Sequence, residues 1–132
     1  LKLVLDTNIY CDYAEGASNA VDAIASYGEL LFIPAIVIGE LNYGFMKGMR
    51  REFNERKLRQ VVSRLNIEII DVTEDVARKY AIIYSSIVKK GRKIPINDVW
   101  IAACCMEIGG TLLTRDKDFE VIDQIESIVL GT

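Results

Sequence analysis

Short apolar runs alternate along the chain with longer stretches of helical periodicity. Residues 1–5, 30–33, 67–72, 111–114 and 125–130 are rich in Leu, Ile, Val and Phe, too short for helices, and bounded by turn-forming residues. They are predicted as buried strands. The intervals read as helices. A short turn at 9–13 is closed by Glu15 and Gly16. Ser18 caps a helix with Val21, Ala23, Ile24 and Ala25 inward, which stops at Gly28. Pro34 suits the first position of the next, which carries Ile36, Val37, Glu40, Leu41, Tyr43 and Gly44.

Residues 50–65 present an apolar stripe of Phe53, Leu58, Val61, Val62 and Leu65. Thr73 caps a helix with the stripe Val76, Tyr80, Ile83, Tyr84, Ile87 and Val88, stopped at Gly91. Residues 99–108 are apolar nearly all round, so this helix is buried on most faces; Asn97 is its cap and Gly109 with Gly110 its end. Strands alternating with helices predict a three-layer α/β/α domain around a parallel sheet of four to five strands.

Composition narrows the chemistry. A chain of 132 residues, 51% hydrophobic and 27% charged, suits a single domain with a sizeable core. No apolar run reaches membrane-spanning length and the first residues do not read as a signal peptide, so a cytoplasmic protein without a membrane segment is expected. Cys11, Cys104 and Cys105 lack metal-ligand spacing and read as free thiols in a reducing compartment. Histidine is absent, which removes His-based triads, the usual zinc sites and the commonest general base.

What remains is a set of carboxylates. Asp6 follows the first strand, and Asp116 and Asp118 follow the fourth. Glu40 lies in the helix after the second strand and Asp98 opens the buried helix. In an open α/β sheet the carboxyl ends of strands border the ligand crevice. Three of the acids also have a plain reading, Asp6 as a loop-entry residue, Asp98 as a first-turn acid favoured by the helix dipole and Asp116 as a turn residue, whereas Glu40 within an apolar stretch is harder to dismiss. Two carboxylates about 4 Å apart would repel by about 4 kcal/mol at an effective dielectric of 20, so a gathered set calls for a cation. Oxygen-only ligands select Mg²⁺ or Mn²⁺, and such ions support phosphoryl chemistry. Thr7 and Thr114 are placed to brace the carboxylates from behind.

At these residues the chain resembles the PIN-domain family, and within it the VapC-like toxins of prokaryotic toxin–antitoxin pairs. The matching pieces are Leu-Asp-Thr-Asn (5–8), Ile-Gly-Glu-Leu with Tyr-Gly (38–44), Ile-Asn-Asp-Val-Trp-Ile-Ala-Ala (96–103) and Leu-Leu-Thr-Arg-Asp-Lys-Asp-Phe (112–119). The resemblance implies a PIN-like fold and a Mg²⁺- or Mn²⁺-dependent endoribonuclease with Asp6, Glu40, Asp98 and Asp116 as its acidic site. Many relatives carry Asn at the position of Asp116 with an acid shortly after, so Asp116 and Asp118 share or divide that role. It further implies a homodimer held inactive by a cognate antitoxin.

The net charge of −3 argues against nucleic acid only as a sum: with those five acids set aside, 14 acidic residues face 16 basic ones. Basic surface for an RNA substrate is expected on the helix face from Lys47 to Arg64 and on Lys89, Lys90, Arg92 and Lys93. Tyr43, Phe45, Met46, Met49 and Phe53 suit a homodimer or antitoxin interface. Two rival readings are a receiver-like signalling module phosphorylated at Asp71, for which Lys117 is poorly placed, and an inactive PIN-derived binding protein.

Overall fold

Leu3, Val4 and Leu5 are almost wholly buried because their strand lies in the middle of the sheet. In a computed structural model that describes residues 1–131, strand β1 (Lys2–Leu5) is flanked by β2 (Leu30–Pro34) and β4 (Thr111–Thr114). The sheet order is β3-β2-β1-β4-β5, with β3 spanning Glu68–Ile70 and β5 Glu126–Val129. Every neighbouring pair is parallel. Six helices flank the sheet: α1 (Thr7–Ala14), α2 (Ser18–Tyr27), α3 (Ala35–Lys47), α4 (Arg51–Arg64), α5 (Glu74–Lys89) and α6 (Ile96–Ile108). A short 3₁₀ helix, Lys117–Val121, joins β4 to β5.

The strand order reverses at β1, whose neighbours run outward in sequence on one side and jump to β4 on the other. Parallel sheets leave a crevice at such a point, beyond the carboxyl ends of the strands. The order also differs from the 2-1-3-4-5 arrangement of receiver-type folds. Asp71, the phosphoacceptor of the rival reading, is exposed beyond the edge strand β3 and away from the central pair.

Helix α6 is buried as its composition demands: Val99 and Ile101 through Cys105 are inaccessible to solvent. Gly109 closes it in the left-handed region at φ 64°, where a side chain would be strained. Gly110 then lets the chain enter β4 against β1, since a Cβ there would stand 2.8 Å from Val4 Cγ2 and 3.1 Å from the Lys2 carbonyl. All three cysteines are free thiols. Among the described residues no helix is long and apolar enough to cross a membrane.

Several local expectations are corrected. Ser18 is the first residue of α2, not its cap; Ala17 holds the cap position without a side-chain bond. Pro34 ends β2 and caps α3 with extended ψ instead of opening the helix, because its carbonyl side still pairs with β3. Helix α6 begins one residue before Asn97, and Pro95 holds its cap position. Thr73 does cap α5, accepting from Val76 N. In the α5 stripe, Val76, Ile83 and Ile87 are buried, whereas Tyr84 and Val88 are exposed. The third strand is three residues long and lies at the edge of the sheet.

Candidate acidic active site

Asp6 stands where β1 becomes α1. Its backbone is extended and its Oδ1 accepts from Thr7 N at 2.8 Å, so the residue also caps the helix. The side chain is 5% exposed, a position a carboxylate tolerates only with partners. Thr114, the buried last residue of β4, donates from Oγ1 to Asp6 Oδ2 at 2.6 Å. The same hydroxyl accepts from Asp116 N at 3.0 Å. Asn8 adds a longer contact, Nδ2 to Asp6 Oδ2 at 3.4 Å, and its Oδ1 accepts from Arg115 N. The ends of β1 and β4 are thereby tied through side chains 108 positions apart in sequence.

Glu40 is half-buried on α3 and faces the same crevice. Thr7 donates from Oγ1 to its Oε1 at 2.6 Å, and Asn97 donates from Nδ2 to its Oε2 at 3.3 Å. Asp98 lies in the first turn of α6, one residue beyond Asn97. Asp116 caps the 3₁₀ helix, accepting from Asp118 N at 2.9 Å, while Asp118 itself is exposed.

Electrostatics show the acids acting on one another. Burial pushes the Asp98 carboxyl up to about 7, and the charges of Asp6, Asp116, Glu40 and Asp118 push in the same direction. Burial also raises Asp6; the hydrogen bonds from Thr114 and Thr7 oppose the shift, and Glu40 and Asp116 reinforce it. Asp116 acts on both Asp6 and Asp98, whereas Asp118 acts only on Asp98. This is a concentration of negative charge that the fold does not neutralise internally.

The donor set is oxygen-only and suits a hard divalent cation. Among the described residues no three acidic or thiol side chains already close into a metal cage. That does not disqualify Mg²⁺, which retains several waters and takes one or two carboxylates directly. The residues fit such an ion through charge and donor chemistry.

Sequence reasoning named the acids and both threonines but not the bracing by Asn8 and Asn97. The Asp-x-Asn spacing was the available signal for Asn8; Asn97 was hidden by its resemblance to a helix cap. The basic loop divides. Lys90 Nζ donates to the Val121 carbonyl at 2.7 Å and pairs with Asp123, so it holds the chain after the 3₁₀ helix and is not a free cation. Lys89, Arg92 and Lys93 are exposed.

The PIN domain family profile matches residues 3–125. Ribonuclease VapC2 of Rickettsia felis is 34% identical over 128 residues, covering 92% of this chain and 92% of that protein. Ribonuclease VapC5 of Mycobacterium tuberculosis is 26% identical over 125 residues, covering 95% and 90%. Among solved structures, VapBC2 of Rickettsia felis bound to a DNA fragment from its promoter contains a chain that superposes with a TM-score of 0.87. It is 26% identical, and the match covers 98% of each chain.

Proposed function

We propose that this chain, which belongs to the PIN-domain family, is a divalent-metal-dependent endoribonuclease and the toxin of a toxin–antitoxin pair. The observation that carries the reading is the mutual repulsion of Asp6, Asp98, Asp116 and Glu40 at the reversal of strand order. Asp6, Asp98 and Asp116 would hold Mg²⁺ or Mn²⁺, with Glu40 beside them and Asp118 outside. Asp116 is favoured over Asp118 as a ligand because it acts on both Asp6 and Asp98. The ion supplies activation of water and neutralisation of charge at a phosphodiester.

The chain's own residues hold that arrangement ready. Thr114 and Thr7 N fix both oxygens of Asp6, and Thr7 with Asn97 fixes both oxygens of Glu40. Carboxylates whose rotamers are locked in this way lose little entropy when a cation arrives. RNA approaches along the exposed cations Arg92 and Lys93, which lie a few residues before Asp98. Three free thiols support a reducing compartment such as the cytoplasm.

Tyr43 and Met46 near the end of α3 are 62% and 58% exposed, and Met49 just beyond it is 102% exposed. Lys47 lies over the Tyr43 ring at 4.7 Å. Large apolar groups so uncovered support an interface there, for a second copy of the chain and for the antitoxin. The test of the activity is incubation of purified protein with total RNA in Mg²⁺ or EDTA, followed by mapping of new 5′ and 3′ ends. New ends in Mg²⁺ alone, lost in Asp6→Asn, support the assignment; identical profiles with and without EDTA refute it.

A further inference from the structure

Beside the acids, α1, α3 and α4 enclose a cleft of about 620 Å³ whose near wall is Thr7 and Glu40. That size is ordinary for a small-molecule pocket. Two of its polar side chains, Tyr10 and Asn54, have no side-chain hydrogen bond among the described residues. Tyr10 is 3% exposed, yet its hydroxyl has no hydrogen-bond partner among the described residues and is not sealed off from solvent, so it opens on the cleft. Burial pushes this phenol up to about 12, and it is a donor at neutral pH as any phenol is. The half-buried Asn54 lines the same cleft, and its carboxamide also lacks a partner among the described residues.

The remaining walls are aromatic, aliphatic and charged, with Arg50 and Lys57 cationic and Glu15 acidic. Phe45 and Phe53 contribute ring surface, and the Arg50 guanidinium lies over Phe53 at 4.0 Å from the centroid. Lys57 donates to the Ala14 carbonyl at 2.7 Å and brings a positive charge to the rim. A buried phenol donor, a carboxamide with both donor and acceptor, ring faces and cations together match a nucleotide. An apolar peptide side chain would use the rings but leave the carboxamide and phenol unpaired. Since Thr7 and Glu40 belong both to the cleft and to the acidic site, a phosphodiester chain lying at the acids runs directly into it.

We propose that this cleft seats one base of single-stranded RNA next to the bond that is cut, with Tyr10 and Asn54 reading its edge. The inference rests on the ribonuclease reading above. It makes the cleft the source of base preference, separate from the acids that cut.

The test uses Asn54→Ala and Tyr10→Phe in the full chain, with folding checked by circular dichroism. Cleavage of RNA with randomised positions should show a base preference at one position flanking the cut in the unaltered protein. Asn54→Ala should flatten that preference about tenfold, the scale of one hydrogen-bonded base contact. Binding is read separately by fluorescence anisotropy in an Asp98→Asn background, with RNA intact or lacking the base at that position. The abasic RNA should bind about tenfold more weakly than intact RNA, and Asn54→Ala or Tyr10→Phe should shrink the gap. Cleavage with unchanged preference in both variants, or equal binding of abasic and intact RNA, overturns the proposal while leaving the ribonuclease reading in place. Loss of affinity for a co-expressed partner protein with base preference intact would make the cleft a protein seat and overturn it equally. If the unaltered protein cuts no RNA, the ribonuclease reading fails on its own, and anisotropy with a fully abasic oligomer against an intact one of equal length decides whether the cleft holds a base.

Discussion

Thr114 Oγ1 donates to Asp6 Oδ2 at 2.6 Å, inside a seam where Thr114 is inaccessible to solvent and Asp6 nearly so. One hydroxyl thus supports a buried carboxylate on β1 and, by accepting from Asp116 N, sets the start of the turn after β4. The acidic site depends on the pairing of two strands from opposite ends of the chain.

Replacing Thr114 by Val keeps the shape and removes the hydrogen bond. Leaving the buried Asp6 oxygen short of a donor should cost about 1–3 kcal/mol, seen as a lower midpoint in urea denaturation. Mn²⁺ affinity by titration calorimetry should fall as well, because Asp6 loses the contact that opposes its raised pKa. An unchanged midpoint would show that the bond is not needed.

Asp98→Asn should separate stability from activity. The substitution removes one of the mutually repelling charges, so in EDTA at pH 8 the melting temperature should rise by a few degrees, on a scale of about 4–8 °C per kcal/mol for small domains. RNA cleavage in Mg²⁺ should fall by at least about a hundredfold. A variant both less stable in EDTA and still active would contradict both expectations.

The metal-free protein should lose stability as pH rises. Asp98 titrates near 7 when folded against an ordinary value of 3.8, so between those values the folded chain keeps a proton that the unfolded chain has released. Its contribution is therefore full below the unfolded value and declines as pH rises through the folded one. Denaturation midpoints in EDTA should be higher at pH 5 than at pH 8, and saturating Mg²⁺ should stabilise most at pH 8. A midpoint that rises with pH in EDTA would reverse the assignment.

The basic loop should separate by residue. Arg92→Ala with Lys93→Ala should weaken RNA binding and reduce the salt slope by roughly 0.7 per lost phosphate contact, without changing the melting temperature. Lys90→Ala should instead loosen the segment held through Val121 and Asp123, lowering stability with less effect on the slope. Equal salt slopes in all variants would leave the loop a solvated turn.

The exposed end of α3 should govern assembly. Tyr43→Lys with Met46→Glu should shift the protein toward monomer in light scattering at micromolar concentration and weaken antitoxin binding, while folding is retained. Unchanged mass and partner affinity would place the interface elsewhere.

The chain by itself determined what depends on local pattern. Alternation of short apolar runs with helical periodicities marked the strands and helices, and the run at 99–108, apolar but for Glu107, announced a helix buried on most faces. The acids at strand ends were legible for the same reason, since where a strand stops is written in its neighbours. Local pattern does not say which strands pair. Only the tertiary structure set β1 beside β4, and with that pairing came the Thr114–Asp6 bond and the reversal of strand order. It also turned Asn97 from a helix cap into a partner of Glu40, and Lys90 from a free cation into a tether for the 3₁₀ helix. Each of these contacts joins residues at least 31 positions apart. Hydrophobic periodicity records only whether a side chain faces inward, and the identity of its distant partner is fixed when the sheet closes.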